Sequence, residues 1–449
     1  QTGWADVDHR AFVLPDEVIG PKASTVAYQS GERGQDEYTV AGTLDGWRQG
    51  IAALAVGNPL LMVALCTAFA GPVLARCNAE SGGIHFVGDS STGKTTAIEA
   101  ACSVWGGPSF RRSWRATGNG MEGVAALFND SLLALDEISE CDPREVGAII
   151  YALGNGRGKQ RASRSGAARA VARWRCSVLS SGERSIGTTM AEGGHRVKAG
   201  QSVRLLDVPA QRTYGAWDTL HQHASGTAFS DALKREAVTH YGHAGREFLE
   251  KLTRDHDVNF SDALDTIKAW PEFQVQSDEG QAKRAAARFA ILGLAGELAT
   301  DYGVTGWPKG AAITSAAAAF VAWQALRGTG RGNLERDQVA ERIVSFIERH
   351  GDSRFSDVDS DDDQRAAMVR ERAGWWHDGD MGRLYLFTAA GMQEAMKGID
   401  FNRALDALQE AGAIEAPGAD CKRSRYRRVQ GRGVRVYIVD PSRLEAGGA

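Results

Sequence analysis

Two short apolar runs set the pattern of the chain. Ile84-His85-Phe86-Val87 runs into Gly88-Asp89-Ser90-Ser91-Thr92-Gly93-Lys94-Thr95, and Leu132-Leu133-Ala134-Leu135 runs into Asp136-Glu137. The second run does not alternate, so it predicts a strand buried on both faces of a parallel sheet. Thr96 to Cys102 predicts a helix directly after the glycine turn. Arg173 to Glu183 reads as another buried strand ending in small polar residues, and Gly200 to Ala210 as a last strand closing this core.

The flanks differ in period. Residues 1 to about 46 hold short β-like runs at Ala11–Leu14, Thr25–Tyr28 and Tyr38–Val40, separated by Gly and Pro. Trp47 to Ala79 reads as mostly helical. From Thr213 to about Arg327 the apolar positions recur at helical spacing, most clearly at Ala282–Ala299 and Ala312–Leu326. Gly328 to Asn333 is a linker by composition. Beyond it come an amphipathic helix at Val339–Ile347, an acidic stretch at Asp357–Asp363, a strand at Leu384–Phe387 and helices at Gly391–Lys397 and Phe401–Gln409. Lys422–Val429 and Gly433–Val439 pair as a hairpin. Four segments result: 1–80, a β-rich piece with apolar helices; 81–212, an α/β nucleotide core; 213–327, helical; and 334–449, whose helices and basic hairpin describe a winged helix.

Composition changes this picture little. The chain has 449 residues, 43% hydrophobic and 24% charged, with a net charge of −4, so binding to nucleic acid must come from local basic patches. Six scattered cysteines form no CxxC pair, which argues against a zinc site or disulfide framework and fits a reducing cytosol. Gln49 to Ala75 carries no charge and is long enough to span a bilayer, but Gly57-Asn58-Pro59 and Gly71-Pro72 interrupt it, so two buried helices are expected instead. The chain begins at Gln1 with no visible signal peptide and is expected to be a fragment or a processed piece.

The chemistry lies in the two runs. Gly88 to Thr95 fits G-x-x-x-x-G-K-[ST] at every fixed position. A strand, a glycine turn and a helix start place several backbone N–H groups around one anion. Gly88, Asp89, Ser90, Ser91, Thr92, Gly93, Lys94, Thr95 and Thr96 would bind ATP, with Lys94 on the outer phosphates and the Thr95 hydroxyl on Mg²⁺. Asp136 would share the metal, directly or through water, and Glu137 would act as general base on the attacking water. Ser181, with Ser180 next, is the candidate sensor of the terminal phosphate. Arg204 is the first candidate for an arginine reaching a neighbouring subunit's nucleotide, with Arg196 and Arg184 as rivals and a structural salt bridge as the alternative for each. A small-molecule kinase reading lacks an acceptor site.

Two stretches suit nucleic acid. Gly154 to Arg169 is rich in Gly and Arg and reads as an exposed hairpin turning near Ser165-Gly166; Lys159, Arg161, Arg164 and Arg169 could neutralise phosphates, or simply form a solvated loop. In the C-terminal hairpin, Arg423, Arg425, Arg427 and Arg428 interleave with Tyr426, suiting backbone contact on DNA or, alternatively, docking to protein.

Together these residues resemble the family of domain of unknown function 927, found in helicase or primase–helicase proteins of phages, plasmids and integrated mobile elements. The resemblance runs from Gly3-Trp4 to about Trp307. It includes Gly83–Gly88, Ser90–Thr96, Ser103-Val104-Trp105-Gly106, Leu135–Ile138, Ser181-Gly182-Glu183, Ala199-Gly200-Gln201, Gly242, Arg288-Phe289 and Ala295-Gly296-Glu297. The family is similar to the superfamily-three hexameric AAA+ helicases. That implies a ring with ATP sites between subunits and a hairpin before the sensor strand lining a DNA channel, where Lys159–Arg169 falls. Ser181 stands where many relatives in the wider superfamily carry Asn. No primase signature is visible; a priming domain could precede Gln1. The expected function is an ATP-driven hexameric DNA helicase in the cytoplasm, replicating a mobile element; the alternative is an ATP-switched origin-binding or loading factor that does not translocate.

Overall fold

Both apolar runs become strands of one sheet, and a third strand comes between them. The computed structural model describes residues 1–27, 37–160, 171–194, 203–275, 280–327, 333–358, 369, 371–379, 382–397, 399, 401–414, 423–429 and 431–445. The chain divides into two compact units, Gln1–Leu326 and Arg327–Ala449.

The first unit opens with three two-residue strands, β1 (Gly3–Trp4), β2 (Phe12–Val13) and β3 (Val18–Ile19), paired antiparallel. The strands expected at Thr25–Tyr28 and Tyr38–Val40 do not form among the described residues. Thr25 closes a 3-10 turn over Ala23–Thr25, and Tyr38 lies between the rings of Trp105, Phe110 and Phe128 at 6.4, 5.1 and 6.0 Å. Aromatic packing, not sheet pairing, explains the apolar character of that stretch. Helices α1 (Leu44–Trp47) and α2 (Ala53–Ala55) are joined by a π-helical turn over Arg48–Ala52.

Helix α3 (Pro59–Arg76) corrects the expected break at Gly71-Pro72: it runs straight through both residues. Pro72 offers no N–H to the carbonyl of Ala68, one turn back. The Trp105 indole N–H donates to that carbonyl instead, at 2.9 Å. Gly71 is small because the backbone of Ser131 passes where its Cβ would stand, 2.5 Å from Cα. The helix is long and apolar enough to cross a bilayer, but 89% of that stretch is buried inside the unit.

The central sheet contains β4 (Gly82–Val87), β5 (Arg112–Ser113), β6 (Ser131–Asp136), β7 (Cys176–Gly182) and β8 (Leu205–Pro209). They lie in the order β5-β6-β7-β4-β8, all parallel. Leu132, Leu133 and Leu135 are fully buried, each stabilising the sheet by about 1.5–3 kcal/mol relative to exposure. Helices α4 (Lys94–Cys102), α5 (Gly118–Leu127), α6 (Pro143–Asn155) and α7 (Ile186–Glu192) connect the strands. Helices α8 (Gly226–Thr239), α9 (His243–Leu252), α10 (Phe260–Lys268), α11 (Gly280–Asp301) and α12 (Ala311–Arg327) follow. Glu297 of α11 caps α12, its carboxylate accepting from the N–H groups of Gly310, Ala312 and Ile313 at 2.9, 3.0 and 3.3 Å.

The second unit has its own core around Ile343, Phe346, Phe387, Leu405 and Leu408. Its sheet runs in the order β12-β13-β11-β10-β9, made of β9 (Phe355–Asp357), β10 (Gly374–Gly379), β11 (Gly382–Phe387), β12 (Arg425–Val429) and β13 (Arg432–Val439). Strand β10, with Trp375 and Trp376, is absent from the sequence reading. Its helices are α13 (Asn333–Arg354), α14 (Ala389–Ala395), α15 (Phe401–Glu410) and the short α16 (Ser442–Glu445).

Candidate nucleotide site

The turn 88–95 leaves the C-terminal end of β4, where open parallel sheets bind ligands. Gly93 has φ +109°, and a Cβ there would lie 2.9 Å from Cζ2 of Trp217. Only glycine fits that backbone and that wall. A tight turn supports the loop from behind: Ala216 N–H donates to the Thr92 carbonyl at 2.7 Å. Ser91 also takes a left-handed conformation, φ +61°. Ser90 and Ser91 are exposed at the rim, while Lys94 and Thr96 are buried at the start of α4.

Lys94 curls over the turn. Its Nζ donates to the carbonyls of Gly88 and Asp89 at 2.7 and 2.6 Å. Burial lowers its ammonium below the ordinary lysine range, and the carboxylates of Glu137, Glu183, Asp136 and Asp89 oppose that shift.

Asp136 is the hub. Its Oδ1 accepts from the Thr95 hydroxyl at 3.2 Å and from the Ser181 hydroxyl at 2.5 Å. Its Oδ2 takes the Arg111 guanidinium at 2.7 Å, and Arg111 also reaches Glu99 at 3.3 Å. The Glu137 N–H donates to Ser181 Oγ at 3.3 Å. Residues from four segments thus meet, because β7 stands between β4 and β6. Glu137 has φ +59°, a conformation that costs a non-glycine residue about 1–3 kcal/mol. Its carboxylate accepts from Ser139 N–H at 3.3 Å and Ser139 Oγ at 2.6 Å, which fixes it as the cap of the turn Ile138–Glu140.

Strand alternation separates the two serines. Ser181 meets Asp136, while Ser180 faces His85, in register on β4. The Arg184 carbonyl can only accept, so His85 Nε2 carries the proton donated to it, at 3.1 Å. His85 Nδ1 then accepts from Ser180 Oγ at 2.8 Å, and Trp114 Nε1 donates to the same oxygen at 2.8 Å. Burial pushes His85 down to about 4. Asp207 pairs with His85 in register from β8, accepts from the Ile186 N–H at 3.2 Å, and is pushed up to about 7 by desolvation.

Most of the basic residues that the sequence singles out lie elsewhere. Arg204 sits just before β8, at the opposite end of the sheet from the turn; six residues of β4 at about 3.3 Å each put about 20 Å between the two ends. Arg184 follows β7 at the turn's end of the sheet and pairs with Glu192. Arg196 lies outside the described residues, as do Arg161, Arg164, Arg169 and the turn at Ser165-Gly166. The base of that stretch is described: Arg157 bridges Arg173 antiparallel, Gly158 N–H donates to the Ala172 carbonyl at 2.9 Å, and Lys159 is exposed. On the edge strand β12, Tyr426, Arg427 and Arg428 are exposed and Arg425 is half-buried. Arg423 precedes that strand and is engaged by Asp406 and by Gln409, at 3.2 Å.

Sequence reasoning missed Arg111, Trp217 and the group His85–Ser180–Trp114. Arg111 is 25 residues from Asp136 and Trp217 is 124 from Gly93, with nothing local to connect either pair. The polar His85 inside an apolar strand was the available signal for the third.

This geometry defines a mixed α/β protein built on a parallel five-stranded sheet, with a strand–turn–helix cradle opposite a carboxylate pair. Residues 1–173 match the family described as domain of unknown function (DUF927), the family that the motifs resemble. The matched span stops short of the motifs from Ser181 onward. A solved structure described as "SCCmec type IV Cch - active helicase" is similar to this chain with a TM-score of 0.68 and 21% identity, covering 97% of this chain and 78% of that one. At that identity the likeness is one of fold. No curated protein matches the chain in sequence.

Proposed function

We propose that this chain is the ATP-driven motor of a DNA helicase, working as a ring of copies, six by the resemblance, in the replication of a mobile element. The first unit is read as an AAA+ P-loop ATPase and the second as a winged helix. The observation that carries the reading is the meeting of Thr95, Asp136 and Ser181 at the mouth of the turn that holds Lys94. A fold shared with a structure described as an active helicase supports it.

The residues fit ATP and Mg²⁺. Gly93 clears the cradle of any Cβ, and a hydroxyl beside a carboxylate is a hard oxygen pair suited to Mg²⁺, which takes few protein ligands and keeps waters and phosphate oxygens for the rest. When bound, the ion would neutralise charge on the outer phosphates. Lys94 would exchange the carbonyls of Gly88 and Asp89 for those phosphates. Glu137, held by Ser139, would orient the attacking water. Ser181 would report the state of Asp136 to β7 and so to the stretch 157–173, which would grip the strand backbone through Lys159 and its basic neighbours. An arginine of a neighbouring copy, from Arg184 or Arg204, would complete the charge balance.

A second reading, an origin-binding or loading factor, is favoured by the exposed Tyr426-Arg427-Arg428 edge, which suits duplex backbone. Forked-duplex unwinding separates the two. Unwinding by the wild-type chain that disappears in Lys94→Ala and Glu137→Gln supports the motor. ATP-dependent DNA binding without unwinding supports the loader. A chain that stays a single copy with ATP analogue and fork present, and splits no ATP, refutes both.

A further inference from the structure

We infer that Arg111 is a built-in counter-cation of the nucleotide site: it opposes capture of a divalent cation by Thr95 and Asp136 alone, and so ties the arrival of the metal to that of the polyphosphate. The inference rests on the nucleotide site of the motor reading and adds a residue to it.

The chain around Arg111 is anchored on both sides. Pro108–Phe110 forms a 3-10 turn, and Phe110 is fully buried against the rings of Tyr38 and Phe128, at 5.1 and 5.0 Å. Beyond it, Ser113 pairs with Asp136 in register, and the Trp114 N–H donates to the Asp136 carbonyl at 3.2 Å. Arg112 turns to Glu37 and over the Phe128 ring, 5.5 Å from its centre. Successive residues of extended chain face opposite ways, which leaves Arg111 facing the Asp136 carboxylate.

Arg111 Nη1 stands 2.7 Å from Asp136 Oδ2 and 3.3 Å from Glu99 Oε1. Two carboxylates thus meet at one nitrogen, in the place of a cation bridging them. Thr95 and Glu99 are four residues apart on α4 and share a face. The Thr95 hydroxyl donates to the other oxygen of Asp136. A hydroxyl with two carboxylates is a hard-oxygen set that suits Mg²⁺ or Mn²⁺. Arg111 balances its charge from within the chain.

The Asp136 side chain is 16% exposed and that of Arg111 35%, so water and salt screen the pair less than one on the open surface. A guanidinium at this distance weakens a carboxylate's hold on a further cation by about tenfold or more. The same charge favours a polyphosphate anion. Lys94 adds to that attraction, but it is held by the neutral carbonyls of Gly88 and Asp89 and can leave them for phosphate. Arg111 is held by two carboxylates. The negative charge of a polyphosphate offsets both cations, and Thr95 and Asp136 can then accept the metal that accompanies it.

The test uses the full chain with Arg111→Gln, which removes the charge, Arg111→Lys, which keeps it, and Glu99→Gln, which leaves Arg111 to Asp136. Mn²⁺ alone is titrated by electron paramagnetic resonance, and mant-ATP in EDTA by fluorescence. For Arg111→Gln the expected result is Mn²⁺ binding tighter by about tenfold or more and metal-free mant-ATP binding weaker by about the same factor, with Arg111→Lys near wild type in both. Glu99→Gln should shift the two constants in the reverse sense, and it decides the matter where Arg111→Gln does not fold. A plain structural brace between α4 and β6 would lose both affinities together. Anything but opposite shifts, whether both fall, both rise or either stays unchanged, overturns the inference. Failure of the motor reading looks different: forked duplex stays paired while the opposite shifts persist.

Discussion

Exchange of Trp105 for Phe isolates one carbonyl. Trp105 is fully buried just beyond the end of α4, and its indole N–H serves the Ala68 carbonyl that Pro72 cannot. Trp105→Phe leaves that carbonyl unpaired in an apolar setting. An unsatisfied buried acceptor costs about 1–3 kcal/mol, and the smaller ring adds a packing loss. Pro72→Ala supplies a backbone N–H in register for the same carbonyl. Trp105→Phe should therefore cost less in the Pro72→Ala background, and the double-mutant cycle should show a coupling of about 1 kcal/mol or more, beyond the roughly 0.3–0.5 kcal/mol within which independent sites add. Urea unfolding of the four proteins, followed by far-UV circular dichroism, gives the midpoints. Equal costs of Trp105→Phe in both backgrounds would refute the account of how α3 tolerates its proline.

Two further outcomes follow from other parts of the molecule. His85, with a folded value near 4 against 6.5 unfolded, makes stability fall as pH drops from about 6.5 to 4, because the unfolded chain binds the extra proton; Asp207, near 7 against 3.8, makes it fall as pH rises from about 4 to 7, because the folded chain holds the proton. Between pH 4 and 6.5 the two slopes oppose, so Asp207→Asn should leave stability rising with pH there and His85→Gln should leave it falling; the same slope in both variants, from urea midpoints at stepped pH, rules the pair out. Removing everything after residue 332 should leave the unfolding free energy of the first unit within about 0.5 kcal/mol and weaken affinity for duplex DNA several-fold in a gel-shift titration; unchanged affinity would take the second unit out of the DNA mechanism.

Much of the central sheet was legible because parallel strands advertise themselves. Leu132–Leu135 cannot be half-exposed, and the residues after it stand at the ligand end of the sheet. Some bounds moved by one or two residues and others by more: β4 begins at Gly82 rather than Ile84 and β6 takes in Ser131 and Asp136, while β7 begins at Cys176 rather than Arg173 and β8 at Leu205 rather than Gly200. The proline in α3 misled because its cure, the Trp105 indole, lies 37 residues away from Ala68. Tyr38 misled because aromatic residues serve strands and ring clusters equally well. At the site, one-residue alternation in β7 turns Ser181 to Asp136 and Ser180 to His85, a division that follows only once the strand is placed, whereas Arg111 carried no local mark at all. The sequence also offered Arg204 as one residue of a last strand, whereas it stands just before β8, with its side chain where a Cβ on Gly154 would be.

The position of β7 has a mechanical consequence. Seven residues join Trp174, under the Arg157–Arg173 bridge, to Ser181, on Asp136, about 23 Å of extended chain clamped on either side by β4 and β6. An extended strand held in this way scarcely stretches. A tug of an ångström on the bridge must either shear two ladders of hydrogen bonds or arrive at the carboxylate almost undiminished, so β7 is a tie-rod between the two poles of the sheet.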